Sequence, residues 1–343
     1  MPQNPEPEKT AAQAEMLGNR LRKRYKHLKK WANRIRTDAF RLYDRDIPEI
    51  PLVLDCYGDA VSLAIYKRPY EKDPAEEAAW LAAMKTAASQ ALEKDASLVF
   101  LKERERQRGS SQYDKLQNRR LERDVREGGL IFRVNLSDYL DTGLFPDRRL
   151  MRGLVGEEAA GKRILNLFCY TASFSVYAAA GGAREIDSVD LSQTYLDWAA
   201  VNFSLNGFEA RRVSPQALVT RTDPAGGGTL PPYRLISADA LRFIDEARRA
   251  HLTWDTIILD PPTFSNSKRM AGTLDIRRDH RDLISQAVSR LNPGGTLWFS
   301  TNARGFKLEA GDFPGAVITD LGSRITDEDF RGRRIPACYT IRV

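Results

Sequence analysis

Short apolar runs alternate with helical patterns along the second half of the chain. Residues 163–168, 185–189, 233–237, 256–259 and 296–301 read as buried strands, since a parallel strand covered on both faces is apolar at successive positions. Between them the spacing predicts helices over 174–180, 195–205 and about 278–291. Gly181-Gly182 and Asn206-Gly207 serve as stops, and Ser192 caps the second helix. Strands alternating with helices give a doubly wound parallel sheet.

The first half is patterned differently. Residues 52–55 and 60–66 predict a hairpin about Gly58-Asp59, and Pro74 opens a helix that runs to about Leu92. Strands near 98–101 and 130–135 complete a small ββαββ unit. The charged stretch 104–126 lies between them, and Gly109-Ser110-Ser111-Gln112-Tyr113 is expected to be mobile. Further upstream, Leu17, Leu21, Leu28, Ala32 and Ile35 recur at helical spacing, with Tyr25 and Trp31 interleaved. From Leu17 to Thr37 the helix carries nine basic residues and no acid: Arg20, Arg22, Lys23, Arg24, Lys26, Lys29, Lys30, Arg34 and Arg36. One docking stripe with an otherwise basic surface suits phosphate neutralisation; a solvated charged face is the plainer alternative. Four segments follow: a disordered tail over 1–15, the basic helix over 16–40, the ββαββ unit over 41–136, expected to bind RNA, and the α/β domain over 137–343. The Pro- and Gly-rich stretch 210–232 is expected to be a poorly ordered loop.

Charge and composition narrow the function classes. The net charge of +7, concentrated on one helix, favours an acidic partner. The three cysteines, Cys56, Cys169 and Cys338, are scattered, as in a reducing compartment. No apolar run approaches a membrane span and the N-terminus is polar, so a soluble cytoplasmic protein without a membrane partner is expected. With three histidines (His27, His251, His280), no metal site is expected.

The chemistry gathers at predicted strand ends. The strand 256–259 stops at Asp260-Pro261-Pro262-Thr263-Phe264, a rigid turn that holds an acid and a flat ring where open α/β sheets bind their ligands. Cys169-Tyr170-Thr171-Ala172-Ser173 turns the chain after the first strand of the sheet. Asp190, about twenty residues on, is placed to accept hydrogen bonds from ribose, and Asp239-Ala240 ends the third strand. No Gly-x-Gly-x-x-Gly follows the first strand, which argues against a pyrophosphate-bearing dinucleotide. Acids without a phosphate cradle fit S-adenosylmethionine.

Three runs carry a specific resemblance: Leu165-Asn166-Leu167-Phe168-x-Tyr170-Thr171, Val189-Asp190-Leu191-Ser192-x-Thr194-Tyr195-Leu196, and 260–270 from Asp260 through Ser267-Lys268-Arg269-Met270. Asp138-Tyr139-Leu140-Asp141-Thr142-Gly143-Leu144-Phe145, Asp147-Arg148, Asn302-x-Arg304-Gly305-Phe306 and Asn19-Arg20-Leu21-Arg22-Lys23 extend it over nearly the whole chain. The sequence resembles the guanine-N7 (RlmK-type, C-terminal) half of the bifunctional bacterial 23S rRNA methyltransferase. The resemblance implies a seven-stranded Rossmann-like class I methyltransferase sheet behind the small α+β domain and basic helix. It implies that Asn166, Phe168, Tyr170 and Thr171 surround the methionine part of the cofactor, that Asp190 with Leu191 takes the ribose, and that Asp239 and Ala240 take the adenine. Asp141, Thr142, Phe145 and Arg148 would close over the cofactor, with Arg148 on its carboxylate. Ala172 stands where the family usually has glycine, and would be strained if that position needs positive φ. Asp260, Pro261, Pro262 and Phe264 are the expected catalytic turn, with Phe264 stacked on an extruded base; a ring that merely plugs the sheet edge is the alternative. Arg20, Arg22, Lys23, Lys26, Lys29, Lys30, Lys268, Arg269 and Arg304 are the expected contacts to large-subunit rRNA. The fused enzyme carries a guanine-N2 activity in its other half, which leaves two alternatives: a separate guanine-N2 methyltransferase as companion, or a chain that works alone.

The neighbouring chemistries remain open. Cytosine-C5 transfer needs a cysteine nucleophile, and the corresponding strand end reads Ser300-Thr301-Asn302. Amine methyltransferases prefer an aromatic directly after Pro-Pro, where Thr263 intervenes. Guanine N7 has an exposed lone pair and needs no general base, only placement. A non-catalytic RNA-binding protein on the same fold is the remaining alternative.

Overall fold

The computed structural model describes residues 6–66, 73–104, 121–137, 141–220, 229–265, 272–333 and 335–343. They form two compact units. One comprises Met1–Gly129, Val134–Thr142 and Glu328–Arg333; the other comprises Leu130–Arg133, Gly143–Asp327 and Arg334–Val343.

In the N-terminal unit the basic segment is a helix, α1 (Glu6–Arg34). The expected disordered tail is therefore corrected from residue 6 onward; residues 1–5 lie outside the described residues. Trp80 Nε1 donates to Gln13 Oε1 at 2.6 Å, which fixes the start of the helix. Leu17, Leu21, Leu28, Trp31 and Ala32 are buried against β1 (Ala39–Asp44), β2 (Leu52–Tyr57), β3 (Ala60–Tyr66) and α2 (Pro74–Leu92). Asp73 caps α2 by accepting from the Ala75 and Glu76 amides, and the proline at N1 is preset for a helix. With β4 (Val99–Arg104) the strands form one sheet in the order β1-β2-β3-β4. β3 and β4 run parallel and α2 is their crossover.

The ββαββ expectation is corrected on one side. β1 fills the sheet edge, pairing antiparallel to β2 with an irregularity between Arg41 and Tyr43. β6 (Leu130–Asn135) instead forms a two-stranded ribbon with β5 (Glu122–Glu127), which lies inside the charged stretch. The expected mobile segment 109–113 lies outside the described residues.

The second unit holds α3 (Arg149–Glu157), β7 (Arg163–Leu167), α4 (Ser173–Ala180), β8 (Glu185–Asp190), α5 (Gln193–Leu205), β9 (Ala210–Val213) and α6 (Pro215–Thr220). β10 (Tyr233–Ser237), α7 (Ala240–Arg249), β11 (Trp254–Leu259), β12 (Phe264–Ser265), β13 (Leu274–Asp275) and α8 (Ile276–Val288) follow. β14 (Leu291–Thr301), β15 (Val317–Asp320) and β16 (Ala337–Arg342) complete it. The main sheet has eight strands, in the order β15-β16-β14-β11-β7-β8-β10-β9. The expected seven become eight because β9 pairs parallel to β10 at the edge; with α6 it occupies part of the segment expected to be a loop. Short, Arg-bearing strands are common at sheet edges. β16 runs antiparallel between β14 and β15.

Beneath the sheet's ligand edge, Asp187 of β8 is fully buried and accepts from Arg234 Nε at 2.6 Å and Trp254 Nε1 at 2.7 Å. This network ties β8 to its neighbour β10 and, across the intervening β7, to β11. Among the described residues no helix is long and apolar enough to cross a membrane.

Candidate active site at the carboxyl edge of the sheet

Four adjacent parallel strands bring the expected residues to one edge. β11 pairs Leu259 with Leu167, β7 pairs Leu167 with Val189, and β8 pairs Asp190 with Ser237. Asp260, Phe168, Asp190 and Ser237 therefore form one row across the strand ends.

The turn after β7 is unusual. Phe168, Tyr170 and Ala172 all adopt positive φ, at 55°, 52° and 58°. The backbone strain anticipated at Ala172 is thus present, and shared by two neighbours at about 1–2 kcal/mol each. Asp190 explains why the turn persists: its Oδ2 accepts the Tyr170 amide and its Oδ1 the Ser192 amide, both at 2.9 Å. Burial raises the Asp190 carboxyl to about 6, against the pull of those backbone donors. An alternating left- and right-handed turn collects amides around an anion, and here the anion is the protein's own. A pyrophosphate would meet that carboxylate, whereas ribose hydroxyls can donate to it. The site therefore suits a nucleoside without phosphates.

Several of the expected residues also hold the fold together. Asn166 is buried, and its amide donates to Ser175 Oγ at 2.9 Å, so it fastens α4 to β7. The Thr171 hydroxyl donates to the Gly143 carbonyl at 2.6 Å. The Tyr170 ring stacks on Phe145, with centroids 5.4 Å apart, and meets Tyr195 edge-on at 4.5 Å. Asp239 Oδ1 caps α7 by accepting the Leu241 and Arg242 amides, and Ala240 is the first residue of that helix; Leu191 lies half-buried beside Asp190. Asp141 and Thr142 belong to the N-terminal unit, where Thr142 Oγ1 hydrogen-bonds Tyr57 Oη at 2.8 Å.

Arg148, expected on the cofactor carboxylate, pairs with the acid of the Pro-Pro turn. The buried guanidinium grips Asp260, Nη2 to Oδ1 at 2.9 Å and Nε to Oδ2 at 3.1 Å, and donates to Asp147 at 3.0 Å and Asn302 at 3.4 Å. Burial alone would lower its pKa, but the facing charges of Asp260 and Asp147 leave it raised. Ser300 Oγ adds a bond to Asp260 Oδ1 at 2.7 Å. Sequence reasoning missed Ser300 and Asp147 as partners in this cluster. The β11–β14 pairing of Leu259 with Phe299 would have signalled Ser300, since it puts that residue level with Asp260.

Beyond Pro261 and Pro262 the chain enters a small ribbon, with Phe264 opposite Asp275. Phe264 is 49% exposed, so it does not plug the sheet edge. Arg304 is exposed, while Lys268 and Arg269 lie outside the described residues. All three cysteines are buried, and burial raises the Cys169 thiol well above its ordinary pKa, which makes it a poor nucleophile.

A family of S-adenosylmethionine-dependent methyltransferases matches residues 45–246. The chain belongs to that family. The methyltransferase is 43% identical over 326 residues to Ribosomal RNA large subunit methyltransferase K of Neisseria meningitidis, covering 95% of this chain and 86% of that protein. It is 44% identical to Ribosomal RNA large subunit methyltransferase K/L of Pseudomonas putida over all of its own length, but spans only 44% of that longer protein. Among solved structures, a methyltransferase complexed with SAH superposes with a TM-score of 0.72 at 25% identity, over 96% of this chain and 82% of that one. A SAM-dependent methyltransferase from Streptococcus mutans gives 0.70 at 25% identity, over 96% and 81%. S-adenosylmethionine is thus the methyltransferase's cofactor.

On α1, Arg22, Lys23, Lys26, Lys29 and Lys30 are exposed as expected. Arg20 is already tied to Asp46, at 2.8 Å, together with Arg333 at 2.9 Å. Arg20 is therefore less free to meet phosphate than its neighbours.

Proposed function

We propose that this methyltransferase modifies guanine N7 in large-subunit (23S) rRNA. The observation that carries the reading is the occupied carboxylate of Asp260. A methyltransferase acting on an exocyclic amine needs acceptors for the amine's hydrogens, and this acid already accepts from Arg148 and Ser300. Guanine N7 carries no proton, so the site need only hold the base in position.

The cofactor, when bound, supplies an electrophilic methyl group on its sulfonium. Asp190 would accept from its ribose hydroxyls, the backbone around Asp239-Ala240 would meet the adenine, and the Phe168–Thr171 turn would flank the methionine part. Exposed Phe264 would stack on the flipped guanine while Pro261 and Pro262 keep the turn rigid. Exposed lysines of α1, with Arg304, would neutralise phosphates. The relative named K, matched over most of its length, supports the rRNA substrate.

The deciding experiment replaces guanosine by 7-deazaguanosine at the methylated position. The expected result is complete loss of methyl transfer, and transfer to the deaza RNA would turn the assignment to the exocyclic amine. Phe264→Ala should cut RNA methylation roughly five- to a hundredfold and leave cofactor binding nearly intact.

A further inference from the structure

Within the N-terminal unit, α1, β1, β2 and the β5 end line a cavity of about 330 Å³. Ala32, Phe40 and Cys56 make an apolar floor. Tyr25, Lys29 and Asn33 stand four residues apart along one face of α1. The rings of Tyr25 and Phe40 lie 6.4 Å apart and 23° from parallel, and Lys29 Nζ is 5.4 Å from the Tyr25 ring centre. Across the cavity, Asp38 accepts the Arg126 amide at 2.7 Å and pairs with its guanidinium at 3.6 Å; burial raises the Asp38 carboxyl.

Asp38 pairs with Arg126, and Asp59 meets Arg123 at 3.3 Å, so the two carboxylates lining the cavity disfavour a bare phosphate inside it. Its features suit a flat heteroaromatic ring: aromatic faces, an acceptor, an amide and a volume at the small end of ligand pockets. Lys29 lines the cavity and Lys30 follows it on α1; both are exposed and can neutralise the backbone flanking such a ring.

We propose that this cavity takes a second, unmodified base of the substrate RNA, with Tyr25 and Phe40 along its face and an exocyclic amine donating to Asp38 Oδ2, which meets the Arg126 guanidinium only at 3.6 Å and so, unlike the carboxylate of Asp260, keeps room for a donor. The site therefore favours guanine, adenine or cytosine over uracil, which has no such amine. The inference rests on RNA being the substrate, and it assigns the N-terminal unit a base-reading role beyond phosphate contact.

Two variants test it. Asn33 is exposed, so Asn33→Phe can fill the cavity without disturbing the core, and Asn33→Ala removes only its amide. Ligand-observed NMR with the four ribonucleoside 5′-monophosphates and with inorganic phosphate should show GMP, AMP and CMP binding, UMP weaker by about fivefold, and phosphate not bound. Asn33→Phe should abolish nucleotide binding and raise KM for RNA roughly five- to a hundredfold, with kcat and cofactor affinity unchanged; Asn33→Ala should have a smaller effect in the same direction. Equal binding of phosphate alone, or an unchanged RNA KM in Asn33→Phe, would overturn the proposal. A wild-type protein that binds nucleotides through this cavity but methylates no RNA would uphold the cavity and overturn the proposed reaction instead.

Discussion

Replacing Arg148 by Met should separate the site's electrostatics from its packing. The guanidinium is almost wholly buried, with its side chain 5% exposed, and faces Asp260 at 2.9 Å and Asp147 at 3.0 Å. Methionine fills similar space but leaves two carboxylates without their counter-charge. Removing one partner of a buried ion pair costs about 3–5 kcal/mol. The carboxylates keep some solvent, at 20% and 22% exposure, so the loss should fall near the lower end, about 3 kcal/mol. Urea unfolding followed by the fluorescence of the five tryptophans should show the midpoint falling at constant slope. The double variant Arg148→Met/Asp260→Asn neutralises the stranded charge and should regain at least about 1 kcal/mol. A single variant that loses less than about 1 kcal/mol, or a double variant no better than the single, would refute the claim that charge compensation holds this corner together.

Asp190→Ala should weaken S-adenosylmethionine at least tenfold in calorimetry, since a hydrogen bond to a charged group contributes roughly 1.5–3 kcal/mol; an unchanged affinity would move the cofactor elsewhere. With the Asp190 carboxyl raised to about 6, wild-type affinity should fall as pH drops through 6. The unfolded carboxyl titrates near 3.9, so the folded form holds its proton more tightly, and this group's contribution to stability declines as pH climbs from about 4 to about 6. Gly143 has φ +96°, and an added Cβ would fall 2.2 Å from the Trp198 ring; Gly143→Ala should cost about 3 kcal/mol in the same unfolding assay. Exchanging Arg22, Lys26, Lys29 and Lys30 for Gln should flatten the salt dependence of rRNA binding from an initial log–log slope of about −3.5 to −4.5, and an unmoved slope would demote α1 to a solvated face.

What the sequence made legible was local. The β2–β3 hairpin, α2 with its N1 proline, β6 and β10 stand where periodicity and turn residues put them, because each is defined by neighbours within a dozen positions. Residues 6–15 carry no apolar stripe, and they are helical because a docked helix propagates cheaply beyond its anchor and because Trp80 holds Gln13. β5 reads as charged loop because a ribbon strand with one buried valine, Val125, shows little alternation. β9 hid among prolines and glycines for a similar reason: an edge strand need not be apolar. In the site, the strand-end acids were visible one by one, but their partners were not. Arg148 and Asp260 are 112 residues apart, and only the folded chain, which sets the turn at 146–148 beside the end of β11, brings the arginine to the acid.

The N-terminal unit is closed by the far end of the chain. Asp329, fully buried, accepts the Arg41 amide at 3.0 Å across 288 residues of sequence, Arg333 reaches Asp46, and Glu328 bonds His27 at 2.9 Å. During vectorial synthesis this unit can therefore be completed only after residues 143–327 have been made and 328–333 have followed them. A nascent chain halted before residue 328 would carry the sheet and both helices, with the β1 amide of Arg41 still lacking its acceptor. Contacts this distant in sequence bear a high loop-closure cost and slow the final step. Truncation from the C-terminus should consequently unsettle the basic helix at the other end, and excising residues 1–136 alone would not yield the unit intact.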